Sequence, residues 1–409
     1  MIQNLFEKGV YKIMKIMHLA DLHIGKRVNE FSMIEDQRYI LRQILRCIDE
    51  TKPKVIMIAG DVYDKSIPTA EAVELLDYFL EQLLSRDLIV LMIYGNHDSP
   101  ERLSFGANIF DKCNLHISPI YDGEIKKVEV EDEYGPVEFY LLPFIKPAHV
   151  RNVFDTKQDE EICSVEQGGS VGSKEKIESY TDAMKVALSK IDLDETKRNI
   201  LITHQFVTGA LRAESEDISV GGSDNVDISV FEAFDYVALG HIHRAQQVGS
   251  ENICYCGTPL KYSFSEANHK KILKVIEIKN KGVEIVHETI ELTPLRDMRE
   301  IKGSYMELTN QAYYQDTNTE DYLHITLTDE EDVVNALAKL RVIYPNIMKL
   351  DYDNKRTRSN QQLELVEYVE SKSPMELFRG FFETQNNQPL NIEQEEYIRQ
   401  TVTKIWGDI

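Results

Sequence analysis

Short apolar runs recur along this chain, and each ends abruptly in polar residues. Lys15–Leu19, Val55–Ala59, Ile89–Tyr94, Phe139–Pro143, Asn199–Thr203, Tyr236–Leu239, Ile253–Cys256 and Ile272–Ile278 have the length and β-branched content of buried strands. Between the first two, Ile40, Leu41, Ile44, Leu45 and Ile48 repeat at helical spacing. Between the next two, Thr69 is placed to cap a helix carrying Val73, Leu75, Leu76, Phe79, Leu80, Leu83 and Leu84. Its apolar face is wider than one sheet contact requires. Strands and helices thus alternate as far as residue 285, the pattern of an α/β protein.

Polar stretches interrupt the alternation. Thr156–Glu178, with Gly168-Gly169 and few apolar anchors, reads as a loop or insertion. Ala213–Asp227 is a second Gly-, Ser- and acid-rich loop, placed between two histidine motifs where it can touch substrate. A small α/β module follows from near Pro294: Tyr322–Thr328 and Asn346–Tyr352 pattern as strands, and Asp332–Val342 as a helix. Asp353–Glu370 is polar, a linker or an exposed helix. Ser373-Pro374-Met375-Glu376 then carries a cap, a first-turn proline and a capping-box glutamate. Leu377, Phe378, Phe381 and Phe382 share one face. After a turn at Asn386–Pro389, Asn391 opens a second helix with Tyr397, Ile398, Val402, Ile405 and Trp406 on its face. Such a hairpin has more aromatic surface than two short helices can bury on each other, so it packs on the body or docks a partner.

The 409 residues suit two or three domains. No apolar run approaches the ~20 residues that cross a bilayer, and MIQNLFEKGVYKI lacks the apolar core of a secretory signal. Because Met14 or Met17 makes a natural start for the first strand, residues 1–13 read as a dispensable extension. Cys47, Cys113, Cys163, Cys254 and Cys256 fit no disulfide or zinc spacing, which points to a reduced cytoplasmic protein with packing thiols. Alternation turns Cys254 and Cys256 to one face of their strand. The net charge of −23 is the wrong sign for gripping nucleic acid over the whole surface, though the local field matters more than the total.

The chemistry sits where the strands stop. Asp21-Leu22-His23, Gly60-Asp61-Val62-Tyr63-Asp64, Gly95-Asn96-His97-Asp98, Thr203-His204 and Gly240-His241-Ile242-His243 each close a predicted strand. In an open α/β sheet the loops at the carboxyl ends of strands form the site. The set Asp21, His23, Asp61, Asn96, His204, His241 and His243 supplies oxygen and imidazole ligands for two divalent cations. Asp61 is the candidate bridge. Asp21, His23 and His243 complete one position, and Asn96, His204 and His241 the other. Two ions so held lower the pKa of a shared water and clamp a phosphate ester. Mixed nitrogen–oxygen ligation suits manganese, iron or zinc rather than calcium. His97 is placed to donate to the scissile phosphate or leaving oxygen, with Asp98 orienting its ring. Asp64 orients a ligand or lies on the rim. Singly these motifs are weak, and a buried histidine is more often a satisfied core group. The ordered combination is specific, and Gly-Asn-His-Asp puts costly polar groups directly after an apolar strand.

In this order the motifs resemble the calcineurin-like metallophosphoesterase superfamily. HLADLHIGK (18–26), IAGDVYD (58–64), YGNHDSPERL (94–103), THQFVTGA (203–210), SVGGSDNVD (219–227), YVALGHIH (236–243), YCGTPLKYSFSEA (255–267) and PLRDMREI (294–301) are similar to the SbcD group within it, the nuclease subunits of bacterial SbcCD complexes. The resemblance implies a metallophosphoesterase β-sandwich flanked by helices, with a small α/β capping domain and a C-terminal helical hairpin. The corresponding spans are 14–290 for the nuclease domain, 291–352 for the cap, 353–372 for a linker and 373–409 for the hairpin. It implies a nuclease core that needs no ATP and prefers manganese. That core dimerises through the early helices, and the hairpin binds the coiled-coil base of the ATPase SbcC in a heterotetramer. It implies 3′-to-5′ degradation of duplex DNA ends and cleavage of hairpins and single strands in repair, recombination and replication. The acidic chain then cuts while its partner grips DNA. It also implies that the ligands are those named above and that His97 is the transition-state histidine. At Asp64 archaeal and eukaryotic relatives carry histidine, so a second catalytic imidazole is in doubt.

Two rival readings share these residues. One is a phosphatase or nucleotide phosphodiesterase on the same dinuclear scaffold. Protein phosphatases of the superfamily carry arginines where Lys65 and Tyr94 stand, which counts against that branch. The other is a structural adaptor for an ATPase, which the intact ligand set disfavours.

Overall fold

The computed structural model describes residues 13–162, 177–212, 216 and 224–358. Beyond these it describes Met375, Phe378, Arg379, Phe382, Leu390, Asn391 and 394–399. The chain divides into two compact units, Met1–Asp297 and Met298–Ile409. The expected 1–13 extension (apart from Ile13), the linker from residue 359 onward and most of the expected 373–409 hairpin lie outside the described residues.

The first unit is built on two six-stranded sheets. Met14–Leu19 (β1), Val55–Ala59 (β2), Ile89–Ile93 (β3) and Leu115–Ile117 (β4) run parallel; Ile272–Ile278 (β11) pairs antiparallel with β1, and Val286–Glu291 (β12) antiparallel with β11, in the order β12-β11-β1-β2-β3-β4. The second sheet contains Lys126–Asp132 (β5), Gly135–Leu142 (β6), Arg198–His204 (β7), Tyr236–Gly240 (β8), Gln246–Val248 (β9) and Ser250–Tyr255 (β10). Its order is β9-β10-β8-β7-β6-β5, and β6, β7, β8 and β10 are mutually parallel. Ile16, Val55, Met57, Leu91 and Ile93 of the first sheet share a core with Phe139, Leu141, Ile200, Ile202 and Ala238 of the second. Cys254 and Cys256 both point into it. Among the described residues Cys47, Cys113, Cys254 and Cys256 are all free thiols.

The outer faces are covered as well. Tyr140, Leu142, Leu201, Val237, Leu239 and Tyr255 pack with Met184 and Ala187 of the helix Tyr180–Leu188. Met17, Ile56, Ile58 and Val90 are buried on the other side of the first sheet, where Ile34–Thr51 (α1) and Ala70–Leu84 (α2) lie. Burial on both faces is why these strands read as unbroken apolar runs. All the α1 positions expected inside are buried. In α2, Thr69 accepts from the Ala72 amide, and Leu75, Leu76, Phe79 and Leu83 are buried, but Val73 is 45% exposed.

Three expectations shift. A helix, Pro147–Ile162, runs into the segment read as a loop from Thr156, while 163–176 lie outside the described residues. The second unit begins at Met298, because Leu292, Thr293 and Arg296 bond to Lys271, Gln43 and Asp36 of the first. That unit is a three-stranded parallel sheet of Met298–Gly303 (β13), Tyr322–Leu327 (β14) and Ile347–Tyr352 (β15), packed by Leu308, Leu340 and Tyr344. Its expected helix shrinks to Ala336–Leu340, because Asn335 adopts a left-handed φ of 54° that interrupts the turn before it. No helix among the described residues is long and apolar enough to cross a membrane.

A buried ion pair ties the two sheets together at the amino end of β1. Arg198, at the start of β7, meets Asp132 at the end of β5 through two contacts of 2.6 and 2.9 Å. Asp132 also accepts the Met14 amide of β1, and Arg198 reaches the Ile278 carbonyl of β11. Both side chains are essentially out of water. Asp132→Ala strands the guanidinium and is expected to lower unfolding free energy by about 3–5 kcal/mol. Adding Arg198→Met should recover much of that loss. Urea unfolding of the two variants checks both outcomes.

Candidate metal centre

The loops after β1, β2, β3, β7 and β8 converge at one edge of the sandwich. Their backbones are held in costly shapes: Asp21, His23, Asp61 and His241 have φ of 53°, 44°, 47° and 105°. Close approach demands glycine beside them. A Cβ on Gly95 would sit 2.1 Å from Asp61 Oδ1, and one on Gly240 would sit 1.8 Å from the Ala59 carbonyl oxygen.

Asp61 lies at the centre. Its Oδ1 accepts the His97 amide at 2.9 Å. Its Oδ2 faces His204 Nε2 at 3.4 Å, His23 Nε2 at 3.6 Å and His97 Nε2 at 4.0 Å. On one side, Asn96 Oδ1 meets His204 Nε2 at 3.0 Å and His241 Nδ1 at 2.9 Å. On the other, His23 Nε2 faces His243 Nε2 at 3.1 Å. Asp21 Oδ1 accepts the His241 amide. Asp21, Asp61 and His204 form one cluster of potential ligand atoms, all within 4.8 Å of one another; His23, Asp64 and His97 form a second. The seven expected ligands are therefore neighbours in space.

The chain matches the family model described as calcineurin-like phosphoesterase over residues 14–245 and that described as type 5 capsule protein repressor C-terminal domain over 294–386. It is 32% identical over 400 residues to the SbcD subunit of nuclease SbcCD from Staphylococcus epidermidis, covering 96% of this chain and 99% of that one. The counterpart from Staphylococcus saprophyticus is 33% identical over 396 residues, covering 96% and 98%. The chain belongs to the calcineurin-like phosphoesterases, in the SbcD family of nuclease subunits. It is a metal-dependent phosphodiester hydrolase with the mixed α/β fold of that family.

The chemistry of this SbcD-family site fits two cations. Among the described residues, Asp21 Oδ2 and His241 Nε2 are buried atoms with no hydrogen-bonding partner, which is expensive unless something else satisfies them. Burial pushes the Asp21 carboxyl well above the usual carboxylate range, with His204 opposing and Asp61 adding to the rise. Burial acts the same way on Asp61, but His204, His23 and His97 win and hold it well below that range. Burial alone would lower His204, yet Asp61 and Asp21 raise it to about 9. Burial keeps His23, His241 and His243 low, in the neutral form that ligates metals.

Asp98 plays a different part from the one expected of it. Its carboxylate accepts the amides of Val62, Tyr63 and Gly95 at 3.0, 2.8 and 2.9 Å. Burial and the neighbouring Asp61 push it up to about 6 in spite of those amides. His97 Nδ1 lies instead 3.1 Å from the Asp64 carbonyl, so that carbonyl orients the ring. Asp98 is taken up in joining two ligand loops, because three convergent amides outcompete a side chain. The Asp64 carboxylate lies 2.7 Å from Lys26 Nζ.

Several supporting residues carried no expectation. Gln37 on α1 donates to the His23 carbonyl and Tyr262 and accepts the Gly25 amide. Tyr262 donates to the Leu22 carbonyl. Glu216, inside the loop placed near substrate, accepts the His243 amide at 2.7 Å. Gln37 had one faint signal, a polar residue one turn before the apolar stripe of α1. The others depend on contacts between distant segments. Asp98→Ala should leave two buried amides and one half-buried amide unpaired and cost roughly 3 kcal/mol. Because that role needs no ion, the loss should persist when unfolding is measured in a chelator.

Proposed function

We propose that this chain is the cutting subunit of a DNA-processing complex. In this role it is a manganese-dependent phosphodiesterase that degrades duplex ends 3′ to 5′ and cuts hairpins and single strands. The observation that carries the reading is the convergence of three histidine Nε2 atoms on Asp61 Oδ2, with Asn96, Asp21, His241 and His243 around them. Asp61 would bridge two ions. Asp21, His23 and His243 would complete one position, and Asn96, His204 and His241 the other. When bound, the ions supply Lewis acidity and an activated water.

The chain's own groups do the rest. The left-handed turns at Asp21, His23 and Asp61 fix the ligand atoms before substrate arrives, so little reorganisation accompanies reaction. His97 is 23% exposed at its side chain while its amide is anchored on Asp61, so its ring can reach an entering phosphodiester. There it donates to the developing charge on phosphate or leaving oxygen. The Asp64 carbonyl behind Nδ1 favours a proton on that nitrogen and sets the ring plane.

The relatives are named as subunits of SbcCD, which supports pairing with an SbcC ATPase. Residues 373–409 are the proposed attachment. Homodimerisation falls to the early helices, where Val73 of α2 and Ile67 of the preceding loop leave apolar surface in water. The reduced thiols suit the cytoplasm.

His97→Gln should still bind two manganese ions while DNA cleavage falls by about 10²–10⁴. Normal degradation by the metal-loaded variant would sink this mechanism. Deleting 373–409 should abolish co-purification with SbcC yet leave manganese-dependent cleavage of single strands. Retained co-purification would reject the attachment.

A further inference from the structure

His23 and His243 face one another with Nε2 atoms 3.1 Å apart and rings at 65°. A carboxylate stands behind each ring, in hydrogen-bond contact with only one of them. His243 Nδ1 is 3.2 Å from Glu266 Oε1, and Glu266 Oε2 is 2.5 Å from Lys271 Nζ. That ammonium also donates to the His243 carbonyl at 3.0 Å and to Thr258 Oγ1 at 2.7 Å. His23 Nδ1 is 3.8 Å from Asp64 Oδ1, and the same oxygen is 2.7 Å from Lys26 Nζ. Two histidines from loops 220 residues apart are thus each backed by a carboxylate and then by a lysine.

We propose that Lys271–Glu266 and, more weakly, Lys26–Asp64 are positioning pairs that serve one of the two cations. Glu266 holds a proton on Nδ1 of His243 and so turns its Nε2 lone pair inward, whereas Asp64 faces Nδ1 of His23 at 3.8 Å and limits the ring's rotation without a hydrogen bond. Each lysine pairs with its carboxylate and holds it on the side of the ring. This rests on the metal-ligand reading above, and it gives Asp64 a role. A buried glutamate–lysine pair is costly beside an apolar pair of the same size, so tethering the loop alone is a poor reason to keep it. Lys271 commits one bond to the carbonyl of the histidine that its partner orients, which locks backbone and ring together. The two pairs differ in strength. Glu266 and Lys271 are buried and in hydrogen-bond contact, whereas Lys26 reaches the surface and Asp64 stands off by 3.8 Å. The other position, built on His204, follows a different plan. Its Nδ1 rests on the Ala59 carbonyl at 2.9 Å, so carboxylate loss should not touch it.

The test is a manganese titration of the full chain followed by the electron paramagnetic resonance signal of free Mn²⁺. Glu266→Gln should weaken one of the two bound ions by roughly 10–100-fold and leave the other unchanged. Asp64→Asn should weaken the same ion by less, about 10-fold at most. A merely structural role would lower the unfolding midpoint in chelator without this selectivity. If Glu266→Gln does not fold, Asp64→Asn carries the test alone, since its lysine can turn to solvent. Two ions bound with wild-type affinity by the variants, or equal weakening of both ions, would overturn the pairing. Failure of the wild type to bind two manganese ions would overturn the metal reading and the pairing together.

Discussion

Everything at the functional edge depends on one buried carboxylate, Asp61. It is 2% exposed, and a charge so placed survives only with compensating groups on several sides. The His97 amide takes one oxygen, and three imidazoles crowd the other. Asp21, also buried, lies close enough to raise the cost further. Histidines alone cannot neutralise two such carboxylates and remain neutral ligands. The electrostatics therefore call for cations, and the same crowding that makes Asp61 expensive makes it a good bridge.

The sandwich supplies the rigidity that this crowding requires. Parallel strands in both sheets deliver their carboxyl ends to one edge, so loops far apart in sequence meet without long excursions. Gly60, Gly95 and Gly240 leave no space for a side chain where these loops touch. Three-amide acceptance by Asp98 then joins the loops after β2 and β3, and Gln37 with Tyr262 secures the loop after β1. The Arg198–Asp132 pair fastens the sheets at the start of β1 and β7. Strain at one end is thus held by packing and by a bidentate ion pair at the other.

Charge is arranged locally rather than globally. A chain of net charge −23 repels a polyanion over most of its surface. At the centre, Lys26 and Lys271 already stand behind two carboxylates, and divalent ions would reverse the sign of the local field. Such a site would suit the proposed division of labour, in which a partner subunit holds the nucleic acid.

The strands, the two early helices and the strand-end placement of the seven candidate ligands were legible in the chain, because each has a local cause. Burial on both faces writes an unbroken apolar run, helical spacing writes a stripe, and a ligand placed after a strand breaks the run abruptly. The roles of Asp98 and Asp64 were not legible. Asp98 follows His97 in sequence, yet its oxygens are claimed by amides from the loop after β2. Asp64 gains its meaning from Lys26 and His23, on a different loop. Glu266 and Lys271, just before β11, meet His243, just after β8, only in the folded chain. Local pattern alone marked the strands and the polar residues that close them. Only the tertiary structure decided which acceptor each buried donor takes, since that choice is made by distances between segments that no local pattern records.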